Sequence, residues 1–285
     1  MIDLHSHSTA SDGTYTPSQV AVAAYEKHLL GIALTDHDTV AGIPEFLEMA
    51  GHLPGLAAIP GLELSTNNLD GVRMHVLGLG IDCHAPSLQD LTSQNQKWRD
   101  ERNSEMIAKL QEMGYGITED LAKSFCHDGG VLGRPHLADA LVALGICQDQ
   151  QEAFRRFLKE GSPAYVRRQV FPVDVCIEKI HQAGGVAVWA HPFSRTLTCA
   201  KFQSLALQLQ EMGLDGLEAY HPQHTAANTD NVLAVAKKLN LLCTGGSDCH
   251  GYRFDKQFLG DGDGTLRVPD RLLTILLERI HARTA

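Results

Sequence analysis

Nearly every strand-like run in this 285-residue chain ends in a histidine, an aspartate or a glutamate. The chain opens with Ile2 and Leu4, an apolar alternation that runs into His5-Ser6-His7, with Asp12 in the Ser-Asp-Gly turn that follows. Side chains alternate faces along a strand, so His5 and His7 point the same way. Residues 31–35 deliver Thr35-Asp36-His37-Asp38, residues 56–64 contain Glu63, and residues 72–81 carry His75. Residues 186–190 end in His191-Pro192, and 215–220 end in His221-Pro222-Gln223-His224. Residues 241–245 end in Gly246-Ser247-Asp248-Cys249-His250. One polar residue at a strand end is ordinary. A set of this size gathered in one place is costly to bury unless something binds it.

The runs alternate with helical patterns. Thr16-Pro17 reads as a helix start, with Thr16 as N-cap, and further helices are predicted near 43–51, 172–182, 201–212 and 225–239 and from Pro269 onward. Strand–helix alternation predicts a parallel sheet or barrel, and in an α/β barrel the strand C-terminal ends meet at the face that carries the site. The rhythm breaks between about 85 and 164, where a long amphipathic stretch from Ser87 to Met113 and three shorter helical patterns predict an all-helical insertion. The expected division is a barrel built from 1–84 and 166–285, with 85–165 as a lid that recognises substrate.

A formal charge of −10 argues against a basic nucleic-acid-binding surface, and so against duplex DNA as a partner. Seven cysteines lack Cys-x-x-Cys pairs, which suits a reducing cytoplasm. No signal-peptide pattern is visible and no apolar run is long enough to span a bilayer, so no membrane association is expected.

The collected set is His5, His7, Asp12, His37, Glu63, His75, His191, Asp248 and His250. These are oxygen and nitrogen donors without a thiolate, which suits Mn²⁺, Zn²⁺ or Fe²⁺ over a structural zinc. The set exceeds the needs of one ion and supports two or three, with Glu63 as the natural bridge.

At these residues the chain resembles the PHP (polymerase and histidinol phosphatase) family. The matching pieces are HSH with Asp12, TDHD at 35–38, Glu63, His75, HP at 191–192 and SDCH at 247–250. The resemblance implies a distorted (β/α)7 barrel with a trinuclear site, manganese foremost. Carried over, His5, His7, Glu63 and Asp248 hold the first metal. Glu63, His75 and His191 hold the second, and Asp12, His37 and His250 the third. GRPH at 133–136 and GSPAYV at 161–166 resemble a narrower group, the ribonuclease AM and 3′,5′-nucleotide bisphosphate phosphatase enzymes. That likeness implies a phosphoesterase acting on nucleotides with 3′ and 5′ phosphates, or on the 5′ end of short RNA.

Outside the metal set, Arg134 is the cation inside a motif of the insertion, suited to clamping a phosphate bidentately or to a salt bridge at a helix start. His136 either contacts substrate or caps a helix turn. His221 and His224 are candidates to contact a phosphate or to protonate a leaving oxygen, and Arg195 is a further phosphate candidate on a rim loop. Glu218 supports a metal histidine or fills the barrel interior. The nucleophile expected on this reading is a hydroxide bridging two ions. Two alternatives stay open: a histidinol phosphate phosphatase, and a non-catalytic metal-binding or polymerase-associated module.

Overall fold

Seven strands form one sheet in strict sequence order: β1 (Ile2–Asp3), β2 (Gly31–Leu34), β3 (Ala57–Leu69), β4 (Val72–Leu79), β5 (Val186–Trp189), β6 (Gly216–Tyr220) and β7 (Leu242–Gly245). The computed structural model describes residues 1–126, 131–193, 197–252 and 258–284. β2 and β5 are buried along their whole length, as strands with both faces covered must be. The two sheet edges meet just beyond their ladders. The Leu4 amide donates to the Gly245 carbonyl at 3.0 Å, the Asp248 amide to His5 at 2.9 Å and the His7 amide to Cys249 at 2.9 Å. Ser6 and Cys249 form a parallel bridge there. The first and last strand tips, which carry His5, His7, Asp248 and His250, therefore share one mouth, although among the described residues no continuous ladder joins β7 to β1.

The strands are not all parallel. β4 is antiparallel to both β3 and β5. Only Asp70 and Gly71 separate β3 from β4, with φ of 48° and 80°, the conformation a two-residue primed turn requires. So short a link cannot make the crossover that parallel pairing needs. The reversal has a functional consequence. His75 lies in the first half of β4, opposite Ser65 on β3, so it reaches the same mouth as residues at the ends of the other strands.

Helices α1 (Pro17–Glu26) and α2 (Ile43–Ala50) lie between the first strands, and α1 starts in a capping box formed by Thr16 and Gln19. The segment between β4 and β5 holds α3 (Pro86–Glu112), α4 (Glu119–Lys123), α5 (Arg134–Ala143) and α6 (Gln150–Ala153), then a π-turn at Phe154–Leu158 and α7 (Val173–Gln182). It has two cores. Leu88 and Leu91 at the start of α3 join the main core beside the sheet, with Val173 and Ile177 of α7. Met106 and Leu110, near the end of α3, pack with Leu137, Leu141, Phe157 and Leu158 in a separate cluster. The division between the two cores thus runs through the middle of α3 and not at its start. At 27 residues, or about 40 Å, α3 is long enough to serve both.

After β5 come α8 (Cys199–Glu211), α9 (Ala226–Leu239) and the closing α10 (Arg271–Thr284). Buried Asp215, just before β6, binds Arg283 of α10, His181 of α7 at 2.9 Å and the Ala187 amide at 2.9 Å. Among the described residues no helix is long and apolar enough to cross a membrane.

Candidate metal centre

The centre begins at the end of β1. His5 and His7 are fully buried, with ring centroids 5.2 Å apart. The chain then turns back on itself because Asp36 gathers it. Asp36 accepts from the Ser8 amide at 2.7 Å, the Ser8 hydroxyl at 2.6 Å and the Ser11 hydroxyl at 2.6 Å. A Cβ at Gly13 would lie 2.6 Å from the His7 carbonyl oxygen, so only glycine lets the turn close this tightly. The turn delivers Asp12, whose Oδ1 is 3.3 Å from His250 Nε2 and 4.0 Å from His37 Nε2. Three non-glycine residues of the centre, Asp38, His191 and Asp248, hold positive φ. Such strain persists only where surrounding structure enforces it, and it gathers at functional sites.

Glu63 is the hub. It is fully buried. Its Oε1 lies 2.8 Å from both His75 Nδ1 and His191 Nε2, and its Oε2 lies 2.8 Å from His37 Nδ1, 3.4 Å from His7 Nε2 and 3.5 Å from His5 Nε2. Asp248 Oδ1 approaches His7 Nε2 at 3.1 Å and His5 Nε2 at 3.4 Å. Three groups of donor atoms converge within 4.8 Å: His5, His7, Glu63 and Asp248; His37, Glu63 and His75; and His7, Asp12, His37 and His250. His37 reaches Glu63 as well as Asp12 and His250, so it stands between two groups where the sequence reading gave it one.

Glu63 Oε1 bonds His75 and His191, but the atoms around its other oxygen crowd together without doing so. His5 Nε2, both nitrogens of His7, His37 Nδ1 and Glu63 Oε2 are buried and lack hydrogen-bond geometry to any partner. Native interiors rarely leave so many orphans side by side, and lone pairs aimed at shared points are what coordinated cations need. Charge agrees. Burial alone would raise the Glu63 carboxyl, but His37, His75 and His5 hold it well below its ordinary value. His250 and His37 do the same for Asp12. Burial, aided by His250 and His37, pushes His7 down to about 3 and keeps it neutral. Burial opposes charge on His5, His37, His191 and His250, yet the carboxylates around them raise all four above their ordinary values, so the cluster draws positive charge of the kind bound cations would supply.

Glu218 orients the set from behind. Its Oε1 lies 3.0 Å from His5 Nδ1, leaving Nε2 to face the cluster, and its Oε2 accepts from the His191 amide at 2.6 Å. Such partners fix ligand orientation.

Beside the cluster opens a cavity of about 190 Å³, bounded by Asp12, His37 and His75 on one side and by Arg73, Arg99, Arg102, Arg134, Arg167 and Arg168 on the other. His37 and His75 keep side-chain exposures of 20% and 23%, whereas His5 and His7 have none, so the cluster opens towards the arginines. Asp38 pairs with Arg99 and Arg168 and binds Asn95 and the Ser65 amide. Arg73 reaches Tyr165 Oη at 3.1 Å and Glu160 at 3.4 Å. Among the described residues Arg102, 7% exposed, bonds only the Asn103 side chain. Arg134 has no hydrogen bond or ion pair among the described residues and instead approaches the Phe154 ring at 5.9 Å. Burial lowers Arg134 to about 10 and Arg102 well below its ordinary value, with neighbouring arginines adding to both shifts. Two guanidinium groups, Arg102 buried and Arg134 half-buried, have no carboxylate partner among the described residues and leave a positive pocket facing the cluster.

Of the residues singled out beyond the metal set, only Arg134 lines this cavity. His136 is a cap: its Nδ1 accepts from the Gly133 amide at 3.0 Å, and the side chain is buried. His224 donates from Nδ1 to the Ala219 carbonyl at 3.0 Å and accepts at Nε2 from the Phe193 amide at 3.3 Å. Burial pushes it down to about 4, and no ring nitrogen remains for a substrate. His221 accepts at Nδ1 from the Gln223 amide, and its buried Nε2 lies 3.5 Å from Asp248 Oδ2, turned into the cluster and away from the rim. The turn after β6 thus uses both ring nitrogens of His224 and directs His221 Nε2 into the cluster, not towards the arginine-lined cavity. Arg195 lies outside the described residues. The other five arginines of the cavity were missed. Arg99 and Arg102 at i and i+3 on one helix, and the pair Arg167-Arg168, were the available signals.

Comparison with known proteins follows the same lines. A model of the PHP domain matches residues 3–160. A 5′-3′ exoribonuclease of Haemophilus influenzae is 36% identical over 248 residues, covering 87% of this chain and 89% of that protein. A 3′,5′-nucleoside bisphosphate phosphatase of Chromobacterium violaceum is 32% identical over 249 residues, covering 87% of each. A solved structure from Bifidobacterium adolescentis, assigned as a metal-dependent phosphoesterase, superposes with a TM-score of 0.86 at 30% identity over 98% of this chain and 96% of that one.

Proposed function

We propose, from the premise that this chain belongs to the PHP family and is a metal-dependent phosphoesterase, that its substrates carry two phosphates. On this reading it removes the 3′-phosphate of nucleoside 3′,5′-bisphosphates and trims short RNA from a 5′-phosphorylated end, as the names of its relatives suggest. One observation carries the reading: Arg102, buried, and Arg134, half-buried, have no acidic partner among the described residues and share a cavity with His37 and His75. An anionic centre that binds cations thus opens onto a separate cationic pocket. A substrate with one phosphate fills only one of them.

On this reading His5, His7, Glu63 and Asp248 would hold one ion, Glu63, His75 and His191 a second, with His37 close to the same pair, and Asp12, His37 and His250 a third, with His7 beside them. Divalent ions held there, manganese foremost as the family likeness implies, would lower the pKa of water and neutralise charge at phosphorus. Glu63 offers one oxygen to each of two sites. Glu218 holds the His5 ring in the tautomer that faces the cluster. Arg134 and Arg102 bind and orient the phosphate that is not cleaved, which places the scissile ester over the cluster. The helical segment within 85–165, from the point in α3 where the second core begins, then acts as a substrate-reading lid over the barrel. The cytoplasm suits both the nucleotide substrates and seven cysteines, none of which is in a disulfide. Histidinol phosphate is disfavoured, since its ammonium group would meet the arginines.

Arg134→Ala tests this directly. A charge-assisted bidentate contact corresponds to about ten- to a hundredfold in kcat/KM. That loss is expected with adenosine 3′,5′-bisphosphate, and little change is expected with adenosine 3′-monophosphate, already a poor substrate for the wild type. Arg134→Lys should recover only part, because a point charge lacks the planar fork. Equal fractional losses on the two substrates would remove the second-phosphate role.

A further inference from the structure

The cavity that holds the unmatched arginines is not uniformly polar. Phe154, Pro135, Val166 and Val170 form part of its wall. Phe154 is half-buried and also packs against the core of the helical segment, which fixes its ring. It stands where α6 gives way to the π-turn, closed by the Lys159 amide donating to the Phe154 carbonyl at 3.0 Å. Within the same turn Phe157 and Leu158 are buried in that core. The wider turn lets these two side chains keep the core while Phe154 borders the cavity, and single π-turns of this kind are frequent at functional sites. The Arg134 guanidinium carbon lies 5.9 Å from the Phe154 ring centroid.

A phosphate needs the arginines but has no use for an aromatic face beside them. We propose that Phe154 is a stacking platform for a nucleobase and that the cavity binds a nucleoside phosphate as a unit, with the phosphate on Arg134 and the base on Phe154. This deepens the nucleotide reading above and rests on it. Stacking is tolerant of base identity, because every base presents a π-face. The residue therefore selects nucleotides from other bisphosphates without selecting among bases.

The test compares adenosine 3′,5′-bisphosphate with the 3′,5′-bisphosphate of the tetrahydrofuran analogue of deoxyribose, which has both phosphates and no base. Wild type is expected to favour the nucleotide by about tenfold or more in kcat/KM. Phe154→Ala should lose about that factor on the nucleotide, mainly through KM, and be unchanged on the base-free compound. Phe154→Leu, which keeps apolar bulk in the core, should show the same selective loss, and Phe154→Tyr should restore the preference. Unchanged turnover of the base-free compound also reports an intact fold. Equal losses on both compounds, or no loss on the nucleotide, would overturn the stacking role and leave the bisphosphate reading standing. A wild type that cleaves neither compound would overturn both.

Discussion

Glu63→Gln is expected to lower phosphate release by about a thousandfold or more, even at saturating Mn²⁺. The substitution keeps the shape of the side chain and removes its charge. Glu63 is fully buried, with five imidazoles around its two oxygens at 2.8 to 3.5 Å. Among the described residues no other carboxylate contacts His37, His75 and His191 together with His5 and His7. Without that charge, two cations held a few ångströms apart repel each other in a site that water screens poorly. The amide also presents an N–H₂ to one of the two groups, which cannot ligate a cation. The measurement is kcat across a Mn²⁺ titration, with circular dichroism and thermal melting to establish that the variant is folded. Turnover near the wild-type level would take Glu63 out of the bridging position.

The centre was legible in the sequence because its donors come at strand ends, and parallel strands carry their ends to one face whatever the helices between them do. His5, His7, His37 and Asp248 needed only that rule. His75 was found for its place in the pattern, but its geometry depends on the Asp70-Gly71 hairpin that reverses β4. An Asp-Gly pair between strand-like runs is a strong hairpin signal, but the strand–helix alternation around it points to parallel pairing. The arginine pocket was hidden for a different reason. Its side chains come from β4, the middle of α3, the start of α5 and residues 167–168, and no periodicity links positions so far apart. The hydrophobic pattern of α3 was equally silent about its two cores, since an apolar stripe does not name the surface it packs against. At His221 and His224 the residue types suggested acid–base chemistry. The tight turn after β6 instead uses the His224 nitrogens to satisfy its own main chain, a competition that sequence cannot display.

Stripping divalent ions should abolish activity entirely. It should also lower the melting temperature, because ions bound only by the folded chain stabilise it by about 2.7 kcal/mol per site at a hundredfold excess over Kd. The buried orphans His5 Nε2, His7 Nε2, His37 Nδ1 and Glu63 Oε2 gain their partners only when ions are bound, so activity and thermal stability should return together on adding Mn²⁺. Since it touches no donor, Arg134→Ala should gain the same thermal stability from Mn²⁺ as wild type, although its rate on adenosine 3′,5′-bisphosphate stays lower. The most direct measurement is elemental analysis of the purified enzyme alongside its rate of phosphate release from adenosine 3′,5′-bisphosphate. Two or three divalent ions per chain at full activity, with the rate falling to background as they are removed, is the expected result. Full turnover from protein that carries one ion or none would contradict a multinuclear centre built on Glu63.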